Sequence, residues 1–203
     1  MAKKYLKGGA MLSPLPAVLV SVGDMENANL ITIAWTGILA THPPRTYISV
    51  RPERHSYKML KERGEFVINL PSEELCRALD YAGVFAGAKV DKFEKLGLHK
   101  LPSKAVSAPT VEECKLALEC RVVEVIPMGT HDVFIADILG TTADEALFDA
   151  QGKLHMEKAG LVAYAHGEYF SLGKRLGRFG FSATKKKKGE GGKKKHPIGE
   201  KRK

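Results

Sequence analysis

The fold class is decided by the stretch KLALECRVVEVI, residues Lys115–Ile126. Apolar side chains at every second position alternate with charged ones, which is typical of a strand in an antiparallel sheet with one buried face. A partner strand is predicted over 133–141, and the connection 127–132 is long enough for a functional loop at a strand end. The two runs together predict an antiparallel pair.

Further strands are predicted on both sides of this pair, with only short helices between them. The strands are predicted at residues 17–22, 30–38, 46–50, 66–70, 161–165 and 169–170. Helices are predicted from Ser56 as N-cap to Arg63, from Ser72 to about Tyr81, and as a short turn opened by Asp91. Because long helices do not alternate with strands, the pattern argues against a parallel doubly wound sheet. It predicts a mostly β (α+β) fold, an antiparallel split β-barrel with short inserted helices.

The positive charge of the chain is concentrated near its C-terminal end. Residues 185–203 hold 10 of the 32 basic residues and 2 of the 23 acidic ones, which leaves 22 basic and 21 acidic residues elsewhere. We therefore predict one domain over residues 1–184 and a disordered Lys-rich tail over 185–203. The nearly neutral body disfavours a nucleic-acid partner, so binding of nucleic acid through the tail is the least favoured alternative.

Several other classes of protein lose support from what the sequence lacks. No apolar run approaches the roughly 18 residues of a membrane span, and no signal-like apolar segment follows the first lysines, so a cytoplasmic protein without membrane contact is expected. The phosphate-loop, Rossmann, zinc-protease and serine-hydrolase motifs are absent. Cys114 and Cys120 are predicted to be buried thiols on the same face of one strand, and no metal site is predicted.

The segment Ser49–Ser56 runs from a strand end into a helix N-terminus and carries two arginines. Unpaired N–H groups at the helix start, the Ser56 hydroxyl and the guanidinium groups of Arg51 and Arg54 are suited to a phosphate. A solvated basic turn in which Ser56 only caps the helix explains the same residues equally well.

The segment Asn29–Thr36 predicts a strand with Thr32, Ala34 and Thr36 on one face and Trp35 on the other. The face of small side chains leaves room for a flat ring, and Trp35 can cover the apolar part of that ring. An ordinary core strand that happens to contain threonines is the alternative.

Six segments together carry a family resemblance. They are Asn29–Thr36, Ser49–Ser56, Phe66–Pro71, Val90–Phe93, Gly129–His131 and Tyr169–Gly173. In this order they resemble the flavin reductase family, in particular its flavoredoxin type with an FMN-binding split barrel. The resemblance covers about residues 9–182.

The resemblance implies a bound FMN and assigns the following roles. The isoalloxazine and ribityl chain would be lined by Asn29, Thr32, Ala34, Trp35 and Thr36, and then by Ser49, Val50 and Arg51. The phosphate would be held by Arg54, His55, Ser56 and Lys92, with Lys92 arriving from the partner subunit if the site is shared across a homodimer. His131 would be the catalytic residue at which the nicotinamide arrives.

The chain departs from the family pattern at two places. Ala86-Gly87-Ala88-Lys89 lacks a serine that relatives often have, so Lys89 stands in as the phosphate contact by assumption. Thr130 occupies a position that is often acidic, and Asp132 follows His131 instead. Two functions stay open: an NAD(P)H-dependent reductase of flavin, ferric or protein acceptors, and a flavoredoxin that relays electrons between proteins without NAD(P)H.

Overall fold

The structure is a computed structural model that describes residues 1–183. The strands are β1 (Leu15–Pro16), β2 (Val18–Gly23), β3 (Ala28–Ile33), β4 (Thr36–Thr41), β5 (Pro44–Val50), β6 (Glu65–Leu70), β7 (Lys100–Leu101), β8 (Thr110–Val111), β9 (Leu116–Pro127), β10 (Asp132–Ala143), β11 (Val162–Ala165) and β12 (Glu168–Ser171). The α-helices are α1 (His55–Arg63), α2 (Cys76–Val84) and α3 (Lys92–Leu96). Single 3₁₀ turns cover Glu73–Leu75, Glu145–Leu147, Met156–Lys158 and Phe181–Ala183.

Seven strands form one sheet in the order β3-β2-β6-β9-β10-β5-β4, and every neighbouring pair is antiparallel. The sheet curls so that β3 contacts β5, and the Ser49 N–H donates to the Trp35 carbonyl at 3.0 Å, which extends the β4–β5 ladder by one pair beyond Thr36 and Ile48. A small sheet of β1, β11 and β12 and the pair β7–β8 complete the strands. The predicted fold class, an antiparallel split β-barrel with short inserted helices, is confirmed.

The core occupies both faces of the sheet because successive side chains of a strand point to opposite sides. Val20 of β2 and Phe134 of β10 belong to the cluster inside the barrel. Leu19 and Leu30 belong to a second cluster, in which α2 contributes Leu79. Strand β2 is buried along its whole length for this reason, and α2 and α3 are fixed against the outer face of β3.

The predicted antiparallel pair is present as the long β9–β10 hairpin, with a turn of residues 128–131 that is shorter than expected. One side chain of the alternating pattern behaves differently from the prediction. Glu119 is only 1% exposed, because its carboxylate accepts hydrogen bonds from the backbone N–H groups of Lys104 and Ala105. The loop that contains Lys104 and Ala105 therefore covers this charged residue and supplies the hydrogen bonds that its buried carboxylate needs.

The prediction of a single strand over residues 30–38 is wrong. The chain bends at Ala34 and Trp35, and β3 ends at Ile33 before β4 begins at Thr36. After the bend the Trp35 carbonyl accepts from the Ser49 N–H, so the chain leaves the pairing of β3 with β2 and enters the pairing of β4 with β5. Strand β4 then returns along β5 as a hairpin whose turn contains His42 and Pro43.

Two of the three predicted helix caps need correction. Helix α1 begins at His55 with Arg54 as its N-cap, so Ser56 is the second helical residue and not the cap. Ser72 precedes a 3₁₀ turn without capping it through its side chain, and α2 continues to Val84. Asp91 is confirmed as the cap of α3, because its carboxylate accepts from the N–H groups of Phe93 and Glu94.

The cysteines are free thiols, and Cys114 and Cys120 are buried as predicted, but Cys114 lies outside the strand, so the two do not share a strand face. Cys114 precedes β9 and packs in the cluster beneath the helices, whereas Cys120 lies inside the barrel. Burial raises the pKa of each thiol to about 12, so both stay protonated at neutral pH.

The chain divides into a compact unit over Met1–Gly173 and a second unit that begins at Lys174. Of the second unit the structure describes residues 174–183, which contain the last 3₁₀ turn. The predicted Lys-rich tail at 185–203 lies outside the described residues, and so does Thr184. Within residues 1–183, every helix is too short or too polar to cross a bilayer.

Candidate functional site

A cavity of about 380 Å³ opens where β3 bends towards β4. Its floor consists of strand residues with small or apolar side chains, among them Ile31 and Ala34 from β3 and the following bend, and Ser49 and Val50 from β5. The volume lies within the roughly 300–1,000 Å³ that is usual for small-molecule sites. A floor of small and apolar side chains is suited to a planar ring.

One wall of the cavity carries an aromatic pair and a positive charge. The rings of Trp35 and His131 have centroids 4.7 Å apart at an interplanar angle of 36°, and Arg51 lines the same cavity. Partial burial and the nearby Arg51 guanidinium lower the pKa of His131, although Glu53 opposes this shift. His131 is therefore a neutral imidazole at pH 7, and its Nδ1 lies 3.0 Å from the Thr130 hydroxyl oxygen.

Another wall comes from α2 and the C-terminal hairpin, and the sequence interpretation missed it. The Tyr169 hydroxyl donates to Asp80 Oδ1 at 3.2 Å, and the Tyr164 ring lies 5.4 Å from the Tyr169 ring. Burial, followed by the charge of Asp80, raises the pKa of Tyr169 to about 12. The dipeptide His166-Gly167 is a hairpin signal that would have placed the two tyrosines opposite each other.

A second pocket of about 80 Å³ adjoins the cavity and shares Ile31 and Arg54 with it. It lies at the start of α1, where His55 and Ser56 contribute to its lining. No side chain caps this helix, so its first backbone N–H groups are left for a ligand. A helix N-terminus with an adjacent guanidinium is suited to an anion.

Lys92 contributes a buried ammonium group to this pocket. Only 3% of the residue is exposed, and its Nζ donates to the carbonyls of Leu30 at 2.6 Å and Ala82 at 2.7 Å. Burial and, secondarily, the charge of Arg54 lower the pKa of Lys92 to about 8. All these groups belong to one chain, so Lys92 reaches this pocket without a contribution from a partner subunit.

Ser56 and Asn29 form the polar base of the same pocket. Asn29 Nδ2 donates to Ser56 Oγ at 2.7 Å, and Ser56 is fully buried. The hydroxyl oxygen accepts this bond, so its proton can be donated to a ligand. The partner of Ser56 is thus a side chain from β3, which explains why the serine does not cap its own helix.

The structure brings most of the predicted site residues to the two pockets. The larger cavity is lined by Thr32, Ala34, Trp35, Ser49, Val50, Arg51, Arg54 and His131, and the smaller pocket by Asn29, Arg54, His55, Ser56 and Lys92. Thr32 lines the cavity although its hydroxyl donates to the Leu79 carbonyl.

Thr36 and Lys89 line neither pocket. Thr36 follows the bend, is buried, and donates its hydroxyl to the Tyr47 carbonyl at 2.5 Å. Lys89 is exposed on a turn closed by its backbone N–H to the Ala86 carbonyl. The predicted contacts of these two residues with a cofactor are therefore not supported by their positions.

Gly87 fits against the smaller pocket because it has no side chain. A Cβ at this position would lie 2.3 Å from Asn29 Oδ1 and 2.6 Å from Asn29 Nδ2. We expect Gly87→Ala to displace Asn29, break its bond to Ser56 and weaken a phosphorylated ligand by about tenfold or more. Ligand titration tests this expectation, with Gly173→Ala as the control because a Cβ there meets open space. Equal affinities in the two variants would contradict it.

The cavity beside the bend shares Ile31 and Arg54 with a basic pocket at a helix N-terminus, and the two together are suited to a ring compound with an anionic group. The sequence profile of the Flavin reductase like domain matches residues 11–173, so the chain belongs to that family. The resemblance on which the sequence prediction relied is thereby confirmed.

Two solved structures and one sequence relative illustrate the relationship. The flavoredoxin of Desulfovibrio vulgaris (Miyazaki F) is 32% identical with a TM-score of 0.84, over 90% of this chain and 100% of that chain. The flavoredoxin of Methanosarcina acetivorans is 26% identical with a TM-score of 0.80, over the same shares of the two chains. An uncharacterised protein of Archaeoglobus fulgidus is 36% identical over 140 residues, which are 69% of this chain and 78% of the relative.

Proposed function

We propose that this protein is an FMN-dependent oxidoreductase that accepts electrons from NAD(P)H and passes them to a flavin, ferric or protein acceptor. The observation that carries the proposal is that the larger cavity, here called the ring cavity, and the smaller pocket, here called the anion pocket, lie side by side and share Arg54 and Ile31 in their linings. A ring without an anionic group would leave the smaller pocket unused. FMN joins a planar ring system to a terminal phosphate, and this combination matches the two pockets.

The donor groups of the smaller pocket fit a phosphate dianion. Arg54 supplies a fork of N–H donors, and Lys92 supplies an ammonium that two carbonyls already orient. The first turn of α1 adds backbone N–H groups, and Ser56 adds a hydroxyl. The like charges of Arg54 and Lys92 disfavour each other when no anion lies between them, which explains part of the lowered Lys92 pKa.

In the larger cavity the strand floor positions the ring and Trp35 covers part of it. When bound, FMN supplies reversible hydride and electron transfer, so no protein nucleophile is required. His131 is neutral at pH 7 and can act as a hydrogen-bond donor or acceptor for an arriving nicotinamide without adding charge. Arg51 beside it favours an anionic donor such as a dinucleotide.

Anaerobic mixing of the FMN-loaded protein with NADH and with NADPH tests the proposed reaction. His131→Ala is expected to keep its FMN affinity and to be reduced more slowly by either nucleotide. If the variant loses FMN and the remaining loaded protein is reduced at the original rate, His131 has a structural role in the loop instead.

A second candidate is an electron-transfer protein that receives electrons from a protein donor. Exposed apolar side chains at the mouth of the cavity favour it, since Trp35 is 41% exposed and Met128, on the turn before His131, is 65% exposed. Steady-state oxidation of NADH and NADPH separates the candidates. Absence of turnover in a protein that binds FMN and can be reduced by dithionite would support the second.

We also propose that the protein is a homodimer. Large apolar side chains are exposed on three strands of the seven-stranded sheet, and they are Ile38, Leu39, Val123 and Leu139. Exposed apolar side chains of this kind favour a surface that a second subunit covers. Sedimentation is expected to give twice the chain mass of 22.2 kDa. A monomer at working concentrations would contradict the proposal, and FMN binding would still be expected because Lys92 lies in the same chain as Arg54.

A further inference from the structure

The turn that carries His131 is weakly held by its own backbone. At its base Asp132 pairs with Pro127 of β9, and proline has no N–H to contribute to the ladder. The turn is closed by the Met128 N–H donating to the His131 carbonyl at 2.8 Å, and residues 128–130 are exposed. On its other side Asp132 pairs with Val50 of β5, so the backbone fixes the start of β10 but not the exposed turn before it.

A side-chain hydrogen bond fixes the base of this turn. The Tyr57 hydroxyl donates to Asp132 Oδ2 at 2.6 Å. Tyr57 belongs to the first turn of α1, and its ring meets Phe134 edge-on with centroids 5.6 Å apart. Phe134 is fully buried, so the phenol is anchored both in the barrel core and in the helix that forms the anion pocket.

Asp132 directs its carboxylate to Tyr57 and not to its sequence neighbour. The charged groups that shift the pKa of His131 are Arg51 and Glu53, on the segment between β5 and α1. The Asp132 carboxylate instead raises the pKa of Tyr57, which keeps the phenol protonated and able to donate. The aspartate that follows His131 thus acts on the histidine through the backbone.

We propose that Tyr57 and Asp132 are positioning residues whose hydrogen bond holds His131 against Trp35 at the mouth of the cavity. The consequence for catalysis rests on the proposed function: the bond sets the rate of reduction by NAD(P)H and leaves FMN affinity unchanged. Because Tyr57 lies on α1, the position of the imidazole is tied to the helix that forms the anion pocket.

Trp35 is the single tryptophan of the chain, so its emission reports the position of His131 without any flavin. A protonated imidazole in ring contact quenches indole emission more strongly than a neutral one. In the flavin-free full chain, acidification from neutral pH to about pH 5 is expected to produce a quenching step. His131→Gln is expected to abolish the step, which assigns it to this residue and not to Glu53.

Tyr57→Phe removes only the hydroxyl and keeps the ring against Phe134, so the variant should fold. Tyr57→Phe and Asp132→Ala are each expected to lose most of the quenching step. The double variant should lose little more than either single variant. Asp132→Asn is expected to retain the step because the amide oxygen can still accept from Tyr57. Ser107→Ala is the matched control, because it removes another hydroxyl that donates to a carboxylate, that of Glu65 at 3.0 Å, and Ser107 lines neither pocket, so the step should be unchanged.

In the FMN-loaded protein, Tyr57→Phe is expected to slow reduction by NAD(P)H roughly tenfold, since a hydrogen bond to a charged group shifts a two-state equilibrium by about that much. A full quenching step in Tyr57→Phe would overturn the positioning role. If Tyr57→Phe lost the quenching step but was reduced by NAD(P)H at the original rate, the bond between Tyr57 and Asp132 would have no role in the reaction. If the chain bound no FMN, the proposed function would fail while the fluorescence result would still decide the position of His131.

Discussion

Replacing Arg54 with alanine is expected to weaken FMN binding about ten- to a hundredfold and to leave riboflavin binding nearly unchanged. Arg54 is the residue at which the ring cavity and the anion pocket meet, and it is the N-cap of α1. A charge-assisted hydrogen bond from Arg54 to the phosphate contributes about 1.5–3 kcal/mol. Riboflavin has no phosphate, so its affinity does not depend on this bond. Titration of both ligands into the variant measures the effect.

Lys58→Ala provides the matched control for Arg54→Ala. Lys58 is a basic residue of the same helix, but it is exposed and lies within 3.7 Å of Glu62 one turn further on. We expect this variant to bind FMN as the original protein does, because a solvated charge is screened. Equal losses of FMN and riboflavin in Arg54→Ala would contradict the phosphate assignment.

The affinity for FMN is expected to fall as the pH rises above about 8, with Lys92 as the cause. Burial and Arg54 lower the pKa of Lys92 to about 8 in the absence of an anion, and a bound dianion raises that pKa again. Below pH 8 the Lys92 side chain is already protonated, so FMN binding takes up no proton. Above it each binding event takes up a proton, so affinity falls by up to roughly tenfold per pH unit. Titrations at neutral pH and at about pH 9 measure the slope.

Lys92→Met identifies the group responsible for that slope. The variant keeps a buried side chain of similar length and loses the charge, so FMN should bind roughly ten- to a hundredfold more weakly at pH 7. Its affinity should then be independent of pH between neutrality and about pH 9. Riboflavin binding checks that the ring cavity is intact. A slope that persists in Lys92→Met would assign the pH dependence to another group.

The β9–β10 hairpin could be predicted from sequence because the alternation of apolar and charged side chains directly reflects the geometry of a strand. The bend at Ala34 and Trp35 could not be predicted from the sequence. At the bend the chain leaves its pairing with β2 and begins its pairing with β5, and this change of partner strand is decided by the tertiary fold. The same bend removes Thr36 from the ring cavity, so one error in the fold produced one error in the site.

The local sequence pattern at the helix starts was also insufficient to predict which groups their side chains contact. Ser56 is a good N-cap by residue type, but Asn29 holds it from 27 positions earlier in the chain. Family resemblance predicts that Lys92 contacts a phosphate, but that it reaches the anion pocket within its own chain depends on how α2 and α3 pack on β3. Asp132 beside His131 suggests a direct partner, and only the fold shows that Tyr57 takes the carboxylate.

The absorption spectrum of the full chain, incubated with FMN and then freed of excess ligand, tests flavin binding most directly. We expect the protein to retain the visible bands of oxidised flavin in equimolar amount and to lose them on reduction with dithionite. The same treatment with Arg54→Ala should leave less flavin on the protein. A colourless protein that takes up no FMN would contradict the assignment of the two pockets and the function built on them.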